Sequence, residues 1–157
     1  MVVRVFDSVA NEYPDLHLIL AGGWGWETAT IKQTLEASPF RERIKLLGYV
    51  DREDKPALYR NAKALLFPSF YEGFGLPPVE AMAERCPVLA SNTSSMPEIL
   101  KNGAFLLPPH DLGAFRRALV AVLSGDPSVE SQVNIAQQLA TGFDWTQTVA
   151  TTIEIFS

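Results

Sequence analysis

Phe67-Pro68-Ser69-Phe70-Tyr71-Glu72-Gly73-Phe74-Gly75-Leu76-Pro77-Pro78-Val79-Glu80-Ala81-Met82 is the stretch that decides how this 157-residue chain folds. The apolar run Ala64 to Pro68 reads as a buried strand, a glycine-bearing loop follows it, and a helix is predicted to begin at Pro77 or Pro78. Such a strand, loop and helix belong to a parallel sheet, whose ligands sit beyond the carboxyl ends of the strands. Glycines let the loop backbone approach a ligand closely. The helix start offers unpaired N–H groups and the positive end of a dipole, which together favour phosphate. Two prolines remove up to two of those donors, so the amides of Phe74, Gly75 and Leu76 are expected to carry most of the contact. Glu72 and Glu80 flank the loop. Helical side chains lean toward the helix N-terminus, so Glu80, about one turn inside, reaches back toward the ligand if it faces the pocket. An ionised carboxyl only accepts hydrogen bonds, which suits the vicinal diol of a ribose. Glu72 would then serve a second hydroxylated group, a sugar, across the phosphates. Spacing alone leaves other phosphate ligands open, and a Glu near a helix start is also plain dipole complementarity.

Working outward, further short apolar runs lie at Leu16 to Ala21, Ile44 to Val50, Pro87 to Ser91 and Phe105 to Leu107. They are nearly continuous, as strands buried on both faces are. Helical spacing fills the intervals: Val2, Val5, Phe6 and Val9 share one stripe, and Leu112, Phe115, Leu119 and Val122 another. Alternating strand and helix predicts an α/β fold with a parallel sheet between helical layers. Ser95-Met96-Pro97-Glu98 and Asp144-Trp145-Thr146-Gln147 read as capping boxes, and Asp111 as an N-cap. Gly125-Asp126-Pro127 stops one helix, and Ser128 opens the next, which Gly142 closes. No linker divides residues 1–157, so a single domain is expected.

The formal charge, 13 − 18 = −5, gives no basic face for nucleic acid. The single cysteine, Cys86, forms no internal disulfide, which points to a reducing compartment. No apolar run approaches the roughly 20 residues of a membrane span, and Met1 to Asp7 lacks a signal-peptide pattern. A cytoplasmic location is the expectation.

At residues 71–82 the chain resembles the retaining glycosyltransferases of the GT-B class, family 4 (group 1). Their donor domain carries a Glu, seven residues, then a Glu, inside Tyr-Glu-Gly-Phe-Gly-Leu-Pro and Glu-Ala-Met. The resemblance continues through Pro87-Val88-Leu89-Ala90-Ser91-Asn92, Ser94-Ser95-Met96-Pro97-Glu98, Phe105-Leu106-Leu107-Pro108-Pro109 with Asp111, and Phe143-Asp144-Trp145. Upstream it takes in Leu18-Ile19-Leu20-Ala21-Gly22-Gly23 and Ile44-Lys45-Leu46-Leu47-Gly48-Tyr49-Val50. It implies a Rossmann-like three-layer domain, the C-terminal, donor-binding half of a GT-B fold. It also implies transfer of a glycosyl group from a nucleoside-diphosphate sugar to an acceptor, with retention of configuration and no bound metal or other cofactor. Glu80 would hold the ribose, and Glu72, the catalytic candidate, the hydroxyls of the transferred sugar. Gly73 and the amides of Phe74, Gly75 and Leu76 would bind the diphosphate, with Gly22 and Gly23 lining its side. Tyr49 and Val50 would meet the base. Electrostatic stabilisation of the departing diphosphate would supply much of the rate.

The chain departs from the family pattern at its start. The domain's first strand, with the Arg and Lys that usually follow it, and the N-terminal acceptor domain are not found here; Arg4 belongs to the helical stripe and takes no such role. These 157 residues alone are therefore expected to be inactive, and a sheet lacking its central strand is expected to shift, swap or self-associate. Glu84-Arg85-Cys86 stands where the family commonly has a glycine. Two rival readings remain: a non-catalytic nucleotide-binding or assembly module, and another phosphate-binding α/β domain such as that of a sugar-phosphate isomerase.

Other residues have plainer readings. Trp24 and Trp26 are placed where an aromatic could cover a nucleotide, but packing on the next helix is the expectation; His17 and His110 lack metal-ligand company, and Cys86 is expected to be a small core residue. Ser94 and Ser95 could touch a sugar, but the capping box already explains Ser95. The charge run Asp51 to Lys55 is a solvated helix entry.

Overall fold

Five short strands form at the five apolar runs, and each pairs in parallel with its neighbours. The structure, a computed structural model, describes residues 1–23 and 28–156, so Trp24 and Trp26 lie outside the described residues. The order along the chain is α1 (Val2–Ala10), β1 (Leu18–Ala21), α2 (Thr28–Glu36), β2 (Ile44–Gly48), α3 (Lys55–Asn61), β3 (Leu65–Phe67) and α4 (Leu76–Ala83). Then come β4 (Val88–Ser91), α5 (Met96–Leu100), β5 (Phe105–Leu107), α6 (Leu112–Leu123), α7 (Pro127–Ala140) and α8 (Trp145–Phe156). None of the described helices is long and apolar enough to cross a membrane.

Strand β4 shows why the chain makes three layers. Its side chains alternate between faces, as the strand period requires. Val88 and Ala90 meet Val79 and Met82 of α4, Leu100 of α5 and Ala136 of α7. Leu89, between them, meets Val5 and Val9 of α1 with Phe115 and Leu119 of α6. Every residue of β4 is buried, as the sequence reading expects of a strand covered on both sides. The α/β class with a Rossmann-like layering stands.

The sheet is not continuous across the described residues. The described strands form two sheets, β1–β2 and β3–β4–β5, rather than one. Outside the layer, Ile19 of β1 and Leu46 and Leu47 of β2 are each more than 40% exposed. Covering falls to α1, which presents two apolar stripes. Val3, Phe6 and Ala10 pack with Leu18, Leu35 and Ile44 of the first sheet region, while Val5 and Val9 pack beneath the second. The helical period places these stripes side by side, so one nine-residue helix seats both sheets.

Helix ends follow the sequence in part. Asp111 caps α6 by accepting from the Ala114 N–H at 2.9 Å. The α7 cap is Asp126 rather than Ser128; its carboxylate accepts from both the Ser128 N–H and hydroxyl, which hold it below the usual carboxylate range. Thr146 N–H donates to the Asp144 carboxylate, while the Gln147 side chain lies outside the described residues. Ser95 precedes α5 but makes no capping bond, because its hydroxyl is used elsewhere. Arg85, standing in the glycine position, adopts a left-handed φ of +60°. Its guanidinium donates to Glu130, Asn134 and Gln137 on α7, contacts no glycine could make in return for the strain.

Cys86 is buried, as predicted, and burial pushes its thiol up to about 11 from an ordinary 9.0. The folded state thus keeps a proton that the unfolded state loses above about pH 9. Stability contributed by the neutral thiol is full below that pH and falls by about 2 kcal/mol as pH rises toward 11. Urea unfolding between pH 8 and 11 should show a steeper loss for the native chain than for Cys86→Ala; parallel slopes would exclude the thiol as the cause.

Candidate functional site

The loop after β3 is pinned by the turn after β4. Thr93 Oγ1 donates to the Ser69 carbonyl at 3.2 Å. The Ser94 hydroxyl donates to the Glu72 carbonyl at 2.7 Å and accepts from the Glu72 N–H at 3.3 Å. Ser95 Oγ adds a bond to the same carbonyl at 3.1 Å. Ser94 occupies a left-handed φ of +55°, a conformation that costs a serine free energy and that these bonds offset. Ser69 Oγ donates to Glu72 Oε1 at 2.8 Å, so the carboxylate itself is oriented by its own loop. The hydroxyls of Ser94 and Ser95 therefore act on the Glu72 backbone, and that of Thr93 on the Ser69 carbonyl.

The loop enters α4 through Gly75, the N-cap, with φ +83°. A Cβ there would come within 2.3 Å of Met96 Cε and 3.0 Å of its Sδ. Met96 is itself buried under the loop. Helix α4 starts at Leu76, one or two residues before the expected Pro77 or Pro78, which leaves both prolines in its first turn. The ring of Phe74 meets Phe143 edge-on at 5.5 Å. An open depression of about 360 Å³ continues from there, lined by Phe143, Asp144 and the α8 threonines Thr148, Thr151 and Thr152.

Glu80 sits in the second turn of α4 and is held from α3. Lys55 Nζ straddles its carboxylate at 3.3 and 3.4 Å, and Tyr59 OH donates to Oε2 at 3.0 Å. Burial pushes the Tyr59 phenol well above its ordinary range, and the adjacent Glu80 charge pushes it further, so the phenol keeps its proton. One turn on, Arg60 donates to Glu84 at 2.7 Å. Lys55 is thus more than part of a solvated helix entry, and Tyr59 was missed in the sequence altogether. Their i, i+4 spacing, which places two donors on one helix face, is the signal that was there to find.

The other predicted residues gather at the ends of β1 and β2. Register slips between Leu20 and Ala21, so Ala21 pairs with Gly48. Gly22, at φ +131°, donates its N–H to the Gly48 carbonyl at 2.7 Å. Gly23 follows it, exposed, and Tyr49 and Val50 follow Gly48, with Tyr49 81% exposed. Two groups therefore stand at carboxyl ends of parallel strands: Gly22, Gly23, Tyr49 and Val50 on the first sheet, and Glu72 to Glu80 on the second. His110 stacks at 4.8 Å on Phe70, which gives it a packing role. Among the described residues, no three of His, Cys, Asp and Glu cluster closely enough to hold a metal ion.

The arrangement puts a glycine-led helix start, a position that favours anions, between two oriented carboxylates, which accept hydrogen bonds from hydroxyl groups. Comparison with known proteins gives the family. The family described as glycosyl transferases group 1 matches residues 1–139. Similar chains include the O-antigen chain mannosyltransferase B of Escherichia coli, 37% identical over 139 residues, which are 88% of this chain and 36% of that protein. Glycogen synthase of Mycobacterium tuberculosis is 32% identical over 95% of this chain and 36% of its own length. Among solved structures, Anabaena HepE in complex with UDP and glucose superimposes with a TM-score of 0.82 at 25% identity, covering 96% of this chain and 44% of that one. The C-terminal domain of a group 1 glycosyl transferase from Francisella tularensis shares the fold at a TM-score of 0.77 and 23% identity, over 90% of this chain and 76% of that one. The chain spans about a third of the length of these curated relatives. With its family's pattern matched over most of its length, this chain belongs to the group 1 glycosyl transferases.

Proposed function

We propose that the chain binds the nucleoside-diphosphate-sugar donor of a retaining hexosyl transfer. The observation that carries this is the Ser69–Gly75 loop: it is tied down by Thr93, Ser94 and Ser95, and it turns into α4 at a glycine with no room for a side chain. Such bonding preorganises the amides of Phe74, Gly75 and Leu76 toward a diphosphate, where developing negative charge on the leaving group is stabilised without reorganisation. Glu80 accepts from the ribose hydroxyls, and Glu72 from those of the transferred sugar. Gly22, Gly23, Tyr49 and Val50 receive the base and the far side of the phosphates, chiefly through backbone. Family membership and the UDP and glucose held by HepE support this reading. No metal ligand takes part in it. In the whole protein the donor would meet its acceptor across this surface; the 157 residues alone bind donor without turning it over.

Amide NMR titration of the chain with UDP-glucose, GDP-mannose and ADP-glucose tests the proposal at affinities down to millimolar. One of the three should shift the amides of residues 73–76, and Glu80→Ala should weaken that binding about tenfold or more. Shifts confined to other regions, or none with any donor, would overturn it.

A further inference from the structure

We infer that Lys55 and Tyr59 are positioning residues for Glu80, fixing its carboxylate in the orientation that receives the ribose diol; the inference rests on the proposed function and deepens it. A glutamate has three side-chain torsions, and one left free must be ordered when the ligand arrives, at an entropic cost to affinity. Here that ordering precedes the ligand. Lys55 and Tyr59, one helical turn apart on α3, aim at the same carboxylate on α4. Their roles differ. Tyr59 is half-buried and takes one direction on Oε2 at 3.0 Å. Lys55, whose side chain is 38% exposed, spans both oxygens at the longer distances of 3.3 and 3.4 Å.

A carboxylate has about four acceptor directions, and these donors use three. A diol needs two. Lys55 therefore yields one of its long contacts to an incoming hydroxyl, while Tyr59 keeps the carboxylate plane in place. The ammonium that remains nearby offsets the glutamate's charge, which would otherwise repel the ligand's diphosphate. Arg60 and Glu84 also tie α3 to the end of α4, so replacing Arg60 reads helix docking separately from the orientation of Glu80.

The test separates ribose recognition from phosphate binding. UDP, GDP and ADP are titrated by amide NMR, then the 2′,3′-dideoxy counterpart of the tightest binder, then inorganic pyrophosphate. The native chain should prefer the ribonucleotide over its dideoxy form about tenfold, and Glu80→Gln should abolish that preference. Tyr59→Phe and Lys55→Met should each cut it to about threefold or less while pyrophosphate affinity after Tyr59→Phe stays level. Arg60→Ala should leave it intact. A full preference in both Tyr59→Phe and Lys55→Met overturns the positioning role while leaving the donor reading in place. An equal loss in Arg60→Ala also overturns it, since helix docking would then be the cause. No preference in the native chain, or no binding of any of the three diphosphates, overturns the proposed ribose site and the clamp with it.

Discussion

Replacing Gly75 with alanine should lower stability by about 2–4 kcal/mol, combining a left-handed backbone with overpacking, and should remove donor binding from the same chain. Two costs meet at this position. The φ of +83° lies where an L-residue with a Cβ is strained. The new methyl would also stand 2.3 Å from Met96 Cε. A methionine tip normally bends away easily, but Met96 is 1% exposed and packed against α4 and its neighbours, so moving it displaces core. The relief available is to shift the loop, and that moves the amides of Phe74 and Leu76 off their ligand geometry. Gly73 is the control: no atom lies within 4 Å of where its Cβ would be, and Gly73→Ala should change stability by less than about 0.5 kcal/mol. Urea midpoints for both variants, with donor titration, check this. A Gly75→Ala chain as stable as the native one would mean that the loop is looser than its contacts indicate.

Arg43→Ala should cost about 2–3 kcal/mol through lost charge-assisted bonds. The guanidinium donates to four carbonyls: Ala10 at 2.7 Å, Pro14 at 2.6 Å, Tyr13 at 3.0 Å and Leu16 at 3.4 Å. It also lies over the rings of Phe40, at 4.7 Å, and Phe6, at 5.5 Å. One side chain thus closes the carbonyl end of α1 and fixes the turn into β1. Because α1 seats both sheets, loosening it should separate them, and α1 amides should lose hydrogen-exchange protection before those of β4. Arg43→Lys should recover less than half the loss, since a single ammonium cannot reach four carbonyl acceptors spread around a planar fork. Chemical denaturation paired with hydrogen exchange reads both effects; a cost below about 0.5 kcal/mol would assign the site to surface-level importance.

Much of this architecture is legible before folding is considered. Five apolar runs became five parallel strands, and Asp111 and Asp144 cap where their positions suggest. Such features depend on residues within a turn or two of one another, and local sequence encodes them. Ser95 marks the limit of local sequence: its motif spells a cap, yet its hydroxyl donates to Glu72, twenty-three residues away. Asp126 displaced Ser128 as the α7 cap because its carboxylate, a residue before Pro127, reaches the next free N–H. The order in which the strands pair was likewise invisible in the runs themselves, since a strand's apolar pattern does not name its neighbour.

What the chain's letters settle alone is periodicity and local chemistry: an α/β alternation, a glycine loop at a strand's carboxyl end, and paired glutamates on either side of it. Tertiary structure decided who meets whom. Lys55 and Tyr59 find Glu80 across 25 and 21 residues, Thr93 to Ser95 find the loop across more than twenty, and Arg43 finds α1 across about thirty. The physical reason is that hydrophobic spacing fixes which face of an element turns inward, whereas the polar partners at its edge depend on how whole layers dock.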